Sequence, residues 1–285
     1  MGTKLGVLAA ATGLVLAAAC ASGPAAVTVV TRSASSTSSA RSARVSMTVV
    51  IKSSSGPLAA GRSLQSDGAV DFAGRQATFR VTTDSGNIDA VIDGTVVYEH
   101  IPQLAPAVGG KTWLKIDLKT VGQLVGVPGL SSVFQSQPSD PTQALAYLRG
   151  ASSQIATVGH EEVRGVRTTH YRATVDLNKA ASSLGADQQA ALRQLIDRLG
   201  LKPTLPVDVW IDAQDRVRRL HLVQDYSPAT PATANTPSTS LPSSVDLTME
   251  LFDFGVPVSV QPPPAEQVTD ISDLINRSRV APRSP

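Results

Sequence analysis

Side chains able to do covalent or metal chemistry are few and scattered. The 285-residue chain has one cysteine and four histidines. His100, His160, His170 and His221 fall on separate predicted elements. No pair of them has the short spacing that converging metal ligands need. His160-Glu161-Glu162 is the nearest approach to a site, and it falls at a predicted turn. Gly129-Leu130-Ser131-Ser132-Val133 carries a serine but not the second glycine of a nucleophile elbow. No glycine-rich phosphate loop, Cys-x-x-Cys pair or paired-carboxylate signature appears. These patterns predict neither an enzyme nor a metal or cofactor site. His170 and His221 sit in the polar phase of their strands and read as solvated surface. Arg216, Arg218 and Arg219 lie in one strand beside Asp215 and Asp225. A solvated face is the plainer reading of that run. A docking patch for anionic headgroups is the sharper one, extended by Arg167 to Arg172 only if the two strands are neighbours. A formal net charge of +2 gives no electrostatic case for nucleic acid.

The single cysteine has a distinctive setting. Lys4 supplies a short basic start, Leu5 to Leu16 form an apolar run, and Ala17-Ala18-Ala19 lead directly into Cys20. That order is the layout of an export signal, and the apolar run falls short of the roughly 20 residues that span a bilayer. The small-residue stretch ending on a lone cysteine resembles the bacterial lipobox, with Ala17 where leucine is usual and Leu16 one step further out. The resemblance implies that residues 1–19 are a signal peptide and that Cys20 is acylated and becomes the N-terminus. The chain would then be anchored at the extracytoplasmic face of the cell membrane. Residues 20–43, rich in Ser, Ala and Thr, read as a flexible tether with a reach of roughly 25–30 Å. Their second half has the alternative of a short helix leading into the first strand.

From Val45 the apolar period becomes two. Val45, Met47, Val49 and Ile51 alternate with polar residues, the signal of a half-buried strand. Further strands are predicted at 68–72, 76–83, 88–93, 95–100 and 112–117, separated by hairpin signals such as Asp93-Gly94. The inner face of this meander would hold Val70, Phe72, Phe79, Val81, Ile88, Ile92, Leu114 and Ile116. Arg80, Asp89, Asp93 and Lys115 would face outward. Residues 121–134 are predicted as loops and short helical turns, and Asp140-Pro141 opens a helix ending at Gly150. Strands follow at 154–159, 161–165 and 168–176. Asp176 then caps a helix from Leu177 to Leu199 that Gly185 interrupts and Gly200 ends. Strands at 205–212, 216–225 and 245–254 complete the set. Residues 227–244, Pro/Thr/Ser-rich and uncharged, read as a disordered insertion. Val268 to Ile275 is predicted as one docking helical turn, and residues 277–285 as a tail.

About eleven mostly antiparallel strands with two or three helices inserted mid-chain define an α+β fold. It is a single curved sheet forming a half-barrel, with helices packed inside its concave face. At this level the chain resembles the LppX/LprG-type lipoproteins of actinobacteria, which have a LolA/LolB-like fold. The features that carry the resemblance are Cys20, the early meander, and four stretches. These are Trp113-Leu114-Lys115-Ile116-Asp117, Gly159 to Val166, Thr168-Thr169-His170-Tyr171 and Val207-Asp208-Val209-Trp210-Ile211-Asp212. The likeness spans roughly Ser42 to Ile275, within a domain bounded at 44–276. It implies an apolar cavity between sheet and helices that takes an acyl lipid or glycolipid, for carriage or presentation at the membrane. Residues expected to line it are Val49, Ile51, Phe72, Phe79, Ile88, Leu124, Leu195, Leu199, Val209, Leu222 and Met249. An aromatic content of 4% suits such a lining, since flexible acyl chains need no directional partner. The alternative is a lipid-anchored interaction or sensor module with a filled core, acting on an envelope transporter or signalling protein. A monomer is expected in either case.

Overall fold

The computed structural model describes residues 24–52, 61–83, 86–124, 155–182, 185–226 and 243–280. Twelve strands run in chain order. The first six are β1 (Ser42–Lys52), β2 (Arg62–Asp71), β3 (Gln76–Thr83), β4 (Gly86–Asp93), β5 (Val96–His100) and β6 (Trp113–Asp117). The rest are β7 (Ile155–Val163), β8 (Val166–Asp176), β9 (Thr204–Asp212), β10 (Val217–Asp225), β11 (Ser244–Phe252) and β12 (Val268–Asp270). They form one sheet in the order β12-β6-β5-β4-β3-β2-β1-β11-β10-β9-β8-β7. The sheet is curved and does not close, since β12 and β7 are its two edges. Every pairing is antiparallel except β12 with β6. The expected half-barrel is therefore present, and the stretch expected as a helical turn at Val268 to Ile275 is strand β12 over its first three residues and helix from Ile271.

Local chemistry explains most of the turns. Arg164 and Gly165 both take positive φ, 49° and 75°, as a two-residue hairpin between β7 and β8 requires. The two strands expected at 154–159 and 161–165 are one strand. Its register shifts between Thr157 and Gly159, and the displaced Val158 is exposed. Asp176 caps as expected, its Oδ1 accepting from the N–H groups of Asn178 and Lys179. Two short helices follow, α3 (Leu177–Ser182) and α4 (Ala186–Leu199). Gly185 is the α4 N-cap, and Gly200 closes the helix in the left-handed region at φ 59°.

Residues 24–39, expected within a tether, form a 16-residue helix, α1 (Pro24–Ser39). Ala26, Val30, Ser33 and Thr37 make its buried stripe, at spacings of four, three and four. Valine, serine and threonine are poor helix formers, but here the hydroxyls turn inward and bond to the helix's own carbonyls. Ser33 Oγ donates to Val30 O at 2.8 Å and Thr37 Oγ1 to Ser33 O at 2.7 Å. Thr37 Oγ1 also accepts from the Val217 N–H at 2.9 Å. That N–H stands at a register shift in β10, between Val217 and Arg219. Arg32 reaches Asp215 in the β9–β10 turn at 2.7 Å. α1, which precedes the boundary expected at residue 44, thus packs onto the sheet as part of its buried core.

Two further helices are α2 (Leu118–Leu124) and α5 (Ile271–Val280), which meet each other beside β6. α5 runs past the expected boundary at 276. Among the described residues no helix is long and apolar enough to cross a membrane. The helix expected at 140–150, most of 121–134, and all but the last two residues of the insertion expected at 227–244 lie outside the described residues. β10 and β11, which flank that insertion, are paired neighbours, Asp225 opposite Ser244.

Candidate functional site

Strand register carries one apolar face across the whole sheet. Val45, Met47, Val49 and Ile51 share a face of β1, and Met47 lies opposite Ser66 of β2 and Met249 of β11. Met249 pairs with Leu220, and Leu247 with Leu222. In the other direction Phe79 lies opposite Ala90, and Ile92 opposite Val97. One end of this face is sealed. Ala26 and Val30 of α1 pack there with Ala43, Val45, Val209, Ile211, Val217 and Leu251 in a contiguous buried core.

Beyond α1 the same face opens into a cavity of about 380 Å³. Its walls are Val45 and Met47 of β1, Ser66 and Val70 of β2, Phe79 and Val81 of β3, and Ala90 and Ile92 of β4. Val97 and Glu99 of β5, Leu220 and Leu222 of β10, and Leu247 and Met249 of β11 complete them. Gly68 makes room for the Phe79 ring. A Cβ there would stand 2.0 Å from Thr78 O and 2.9 Å from Phe79 Cδ1.

Of the residues expected to line a cavity, Phe79, Leu222 and Met249 do so. Val49 and Ile51 continue the face of β1 beyond Met47, and Ile88 that of β4 opposite Val81, all partly buried. Phe72 and Val209 belong to the sealed core, at 7% and 1% exposure. Leu124 ends α2 and is not among the lining residues. Leu195 and Leu199 lie in α4, with their side chains outside the described set. Glu99 was missed because a carboxylate in an apolar phase breaks the pattern used to choose wall residues. The available signal was the β5 alternation itself, which puts Glu99 in phase with Val97.

The opposite face is built of ion pairs. Asp212 accepts from the N–H groups of Gln214 and Arg216 and from the Arg216 and Arg218 guanidiniums, at 2.7–3.1 Å. Burial acts to raise its pKa, but the Arg216 N–H and the two guanidiniums outweigh that and hold it below the usual carboxylate range. Glu250 receives Arg219 and Arg164, and against the same opposing effect of burial its pKa is also lowered. Arg172 binds Asp208 at 2.8 Å. Of the arginines considered as a headgroup patch, Arg172, Arg216, Arg218 and Arg219 are thus matched by carboxylates of the sheet itself. β8 and β10 are not neighbours either, because β9 separates them.

His170, expected as solvated, is 5% exposed. Its Nδ1 lies 3.0 Å from Glu161 Oε1 and its Nε2 2.6 Å from Asp208 Oδ1. The ring stacks on Trp210 at 4.1 Å, and Trp210 Nε1 donates to Glu161 Oε2. Three of the four stretches that carry the family resemblance therefore meet in one cluster, which ties β7, β8 and β9 together. It stands on the face opposite the cavity. Among the described residues no group of His, Cys, Asp and Glu is placed to hold a metal ion.

A curved, unclosed antiparallel sheet with an apolar inner face and a few helices is the LolA-like fold. One solved structure of like fold is LppX, a lipoprotein of Mycobacterium tuberculosis. The two superpose with a TM-score of 0.50 over 84% of this chain and 99% of that one, at 16% identity, a likeness of fold. No family model matches the sequence. An uncharacterised 31.2 kDa protein of Streptomyces griseus, from the rplA–rplJ intergenic region, is 28% identical over 238 residues. That match covers 77% of this chain and 73% of the relative. A Streptomyces coelicolor protein named "putative lipoprotein" is 27% identical over 173 residues, 61% of this chain and 47% of its own length.

Proposed function

We propose that this chain is a lipid-anchored protein of the cell envelope that holds an acyl chain in the cavity beyond α1. The observation that carries this reading is the cavity itself. Its volume of about 380 Å³ falls near the lower end of the ~300–1,000 Å³ usual for small-molecule sites. That size suits one acyl chain, and a lining of Val, Leu, Ile, Met and Phe suits a ligand without directional groups. Each methylene transferred from water is worth about 0.8 kcal/mol, so a long chain is held without any catalytic group. Among the described residues Ser66 and Glu99 are the polar lining residues, with no histidine, lysine or cysteine in the lining to make a nucleophile–base pair. This favours binding over catalysis. The alternative of an interaction module with a filled core fits the sealed end of the face and not the open one.

The anchor belongs to the same reading. Acylation of Cys20, supported by its signal-like leader and by the lipoprotein LppX of like fold, would leave only Ala21, Ser22 and Gly23 before α1. At no more than ~3.6 Å per residue, α1 would begin within about 14 Å of the acylated cysteine. The domain would then lie close against the membrane from which an acyl chain comes. The test is titration with a fluorescent fatty-acyl probe against wild type and Leu222→Trp. Saturable binding that the tryptophan abolishes, with cooperative unfolding retained, is the expected result. A folded wild type that ignores the probe would end this reading.

A further inference from the structure

Glu99 is the one charged side chain among the described lining residues. It is half-buried, and among the described residues it has neither a hydrogen bond nor an ion pair, in contrast to the carboxylates of the opposite face. β5 fixes its direction, because Val97 and Glu99 lie in the same phase, and the register sets Glu99 between Ala90 of β4 and Leu114 of β6. On the β4 side its neighbour is the small Ala90. The other polar lining residue, Ser66, is three strands away on β2. A polar group among apolar side chains costs free energy unless it is hydrogen-bonded, so a ligand that covers this carboxyl must offer it a donor. Burial acts on it alone and raises its pKa above the ordinary glutamate value.

We propose that Glu99 selects the ligand, binding the hydroxyl of an uncharged acyl lipid and disfavouring an acyl chain that ends in an ionised carboxylate. The inference rests on the acyl-binding reading above. An ionised Glu99 accepts a hydrogen bond from a hydroxyl, and a protonated one both donates and accepts. Either form therefore pairs with an alcohol. A carboxylate ligand at the same point meets a like charge unless the pair takes up a proton.

The test uses the full chain with 1-monopalmitoylglycerol and palmitate as competing probes at about pH 8, where free carboxylic acids are ionised. Wild type is expected to prefer the monoglyceride by about tenfold or more, the size of one hydrogen bond to a charged group. Glu99→Leu should weaken the monoglyceride about tenfold and erase the preference. Glu99→Gln, nearly isosteric and still able to bond a hydroxyl, should keep the monoglyceride and gain palmitate. An unchanged preference in both variants would overturn the assignment of Glu99 while leaving the cavity reading intact. A wild type that binds neither probe would overturn both.

Discussion

The two ends of the sheet's inner face follow one sequence pattern and reach different ends. Beneath α1, Val209, Val217 and Leu251 are sealed at 1–2% exposure. A few residues along the same strands, Met47, Leu222 and Leu247 are only partly buried, around a cavity. Alternation of apolar and polar residues is equally good in both regions. Among the described residues what differs is the cover, a helix of small residues at one end and a cavity at the other. An apolar strand face therefore does not by itself say whether it holds a core or a binding site.

Paired substitutions break or sharpen this contrast. Leu251→Ala, at the sealed end, should cost about 2–5 kcal/mol in denaturant unfolding. Leu222→Ala, on a wall already facing space, should cost clearly less, and equal losses would mean that the cavity is packed in solution. Tryptophan discriminates further. Val209→Trp should overpack the sealed core and cost about 1–3 kcal/mol. Leu222→Trp should leave the midpoint nearly unchanged and lower ligand occupancy. Thr37→Val removes the hydroxyl that receives the Val217 N–H. Loss of that buried bond should cost about 1–3 kcal/mol and leave ligand affinity unchanged.

The smallest expected effect is a pH dependence of opposite sign on the two faces. Asp212 and Glu250 have lowered native pKa values, so the unfolded chain binds more protons. Their contribution is present above the ordinary carboxylate range of about 4 and is lost as pH falls through the native values. Glu99, with its raised pKa, binds more protons in the native state. Its contribution is present below the ordinary value and is lost as pH rises through the native one. Unfolding curves of Glu99→Gln should lack that second loss, and Asp212→Asn should flatten the acid limb.

Much of this architecture was legible in sequence because it is set by local chemistry. The hairpins, the Asp176 cap, the break at Gly185 and the stop at Gly200 need only a few neighbouring residues. α1 was not settled, because its Val/Ser/Thr composition argues against a helix in isolation. The Ala26-Val30-Ser33-Thr37 stripe becomes a reason for one only when a sheet is there to bury it. β12 is three residues long and exists through its parallel pairing with β6. His170 lies in a polar phase, and only the neighbouring strands bring Glu161, Asp208 and Trp210 around it. Wall residues were partly found because period two names the correct face. It does not say how far along a strand the helix ends and the cavity begins, which is why Val209 was grouped with Leu222.

The most direct test is mass spectrometry of solvent-extracted lipids from the full chain, expressed in its native host and purified without adding free lipid. Acyl groups on Cys20 would stay with the polypeptide, so the extract reports the cavity. The account predicts one acyl-lipid class near one molecule per chain in wild type and a sharp loss of it in Leu222→Trp. A folded wild type free of extractable lipid, or one whose lipid is untouched by that tryptophan, would contradict it.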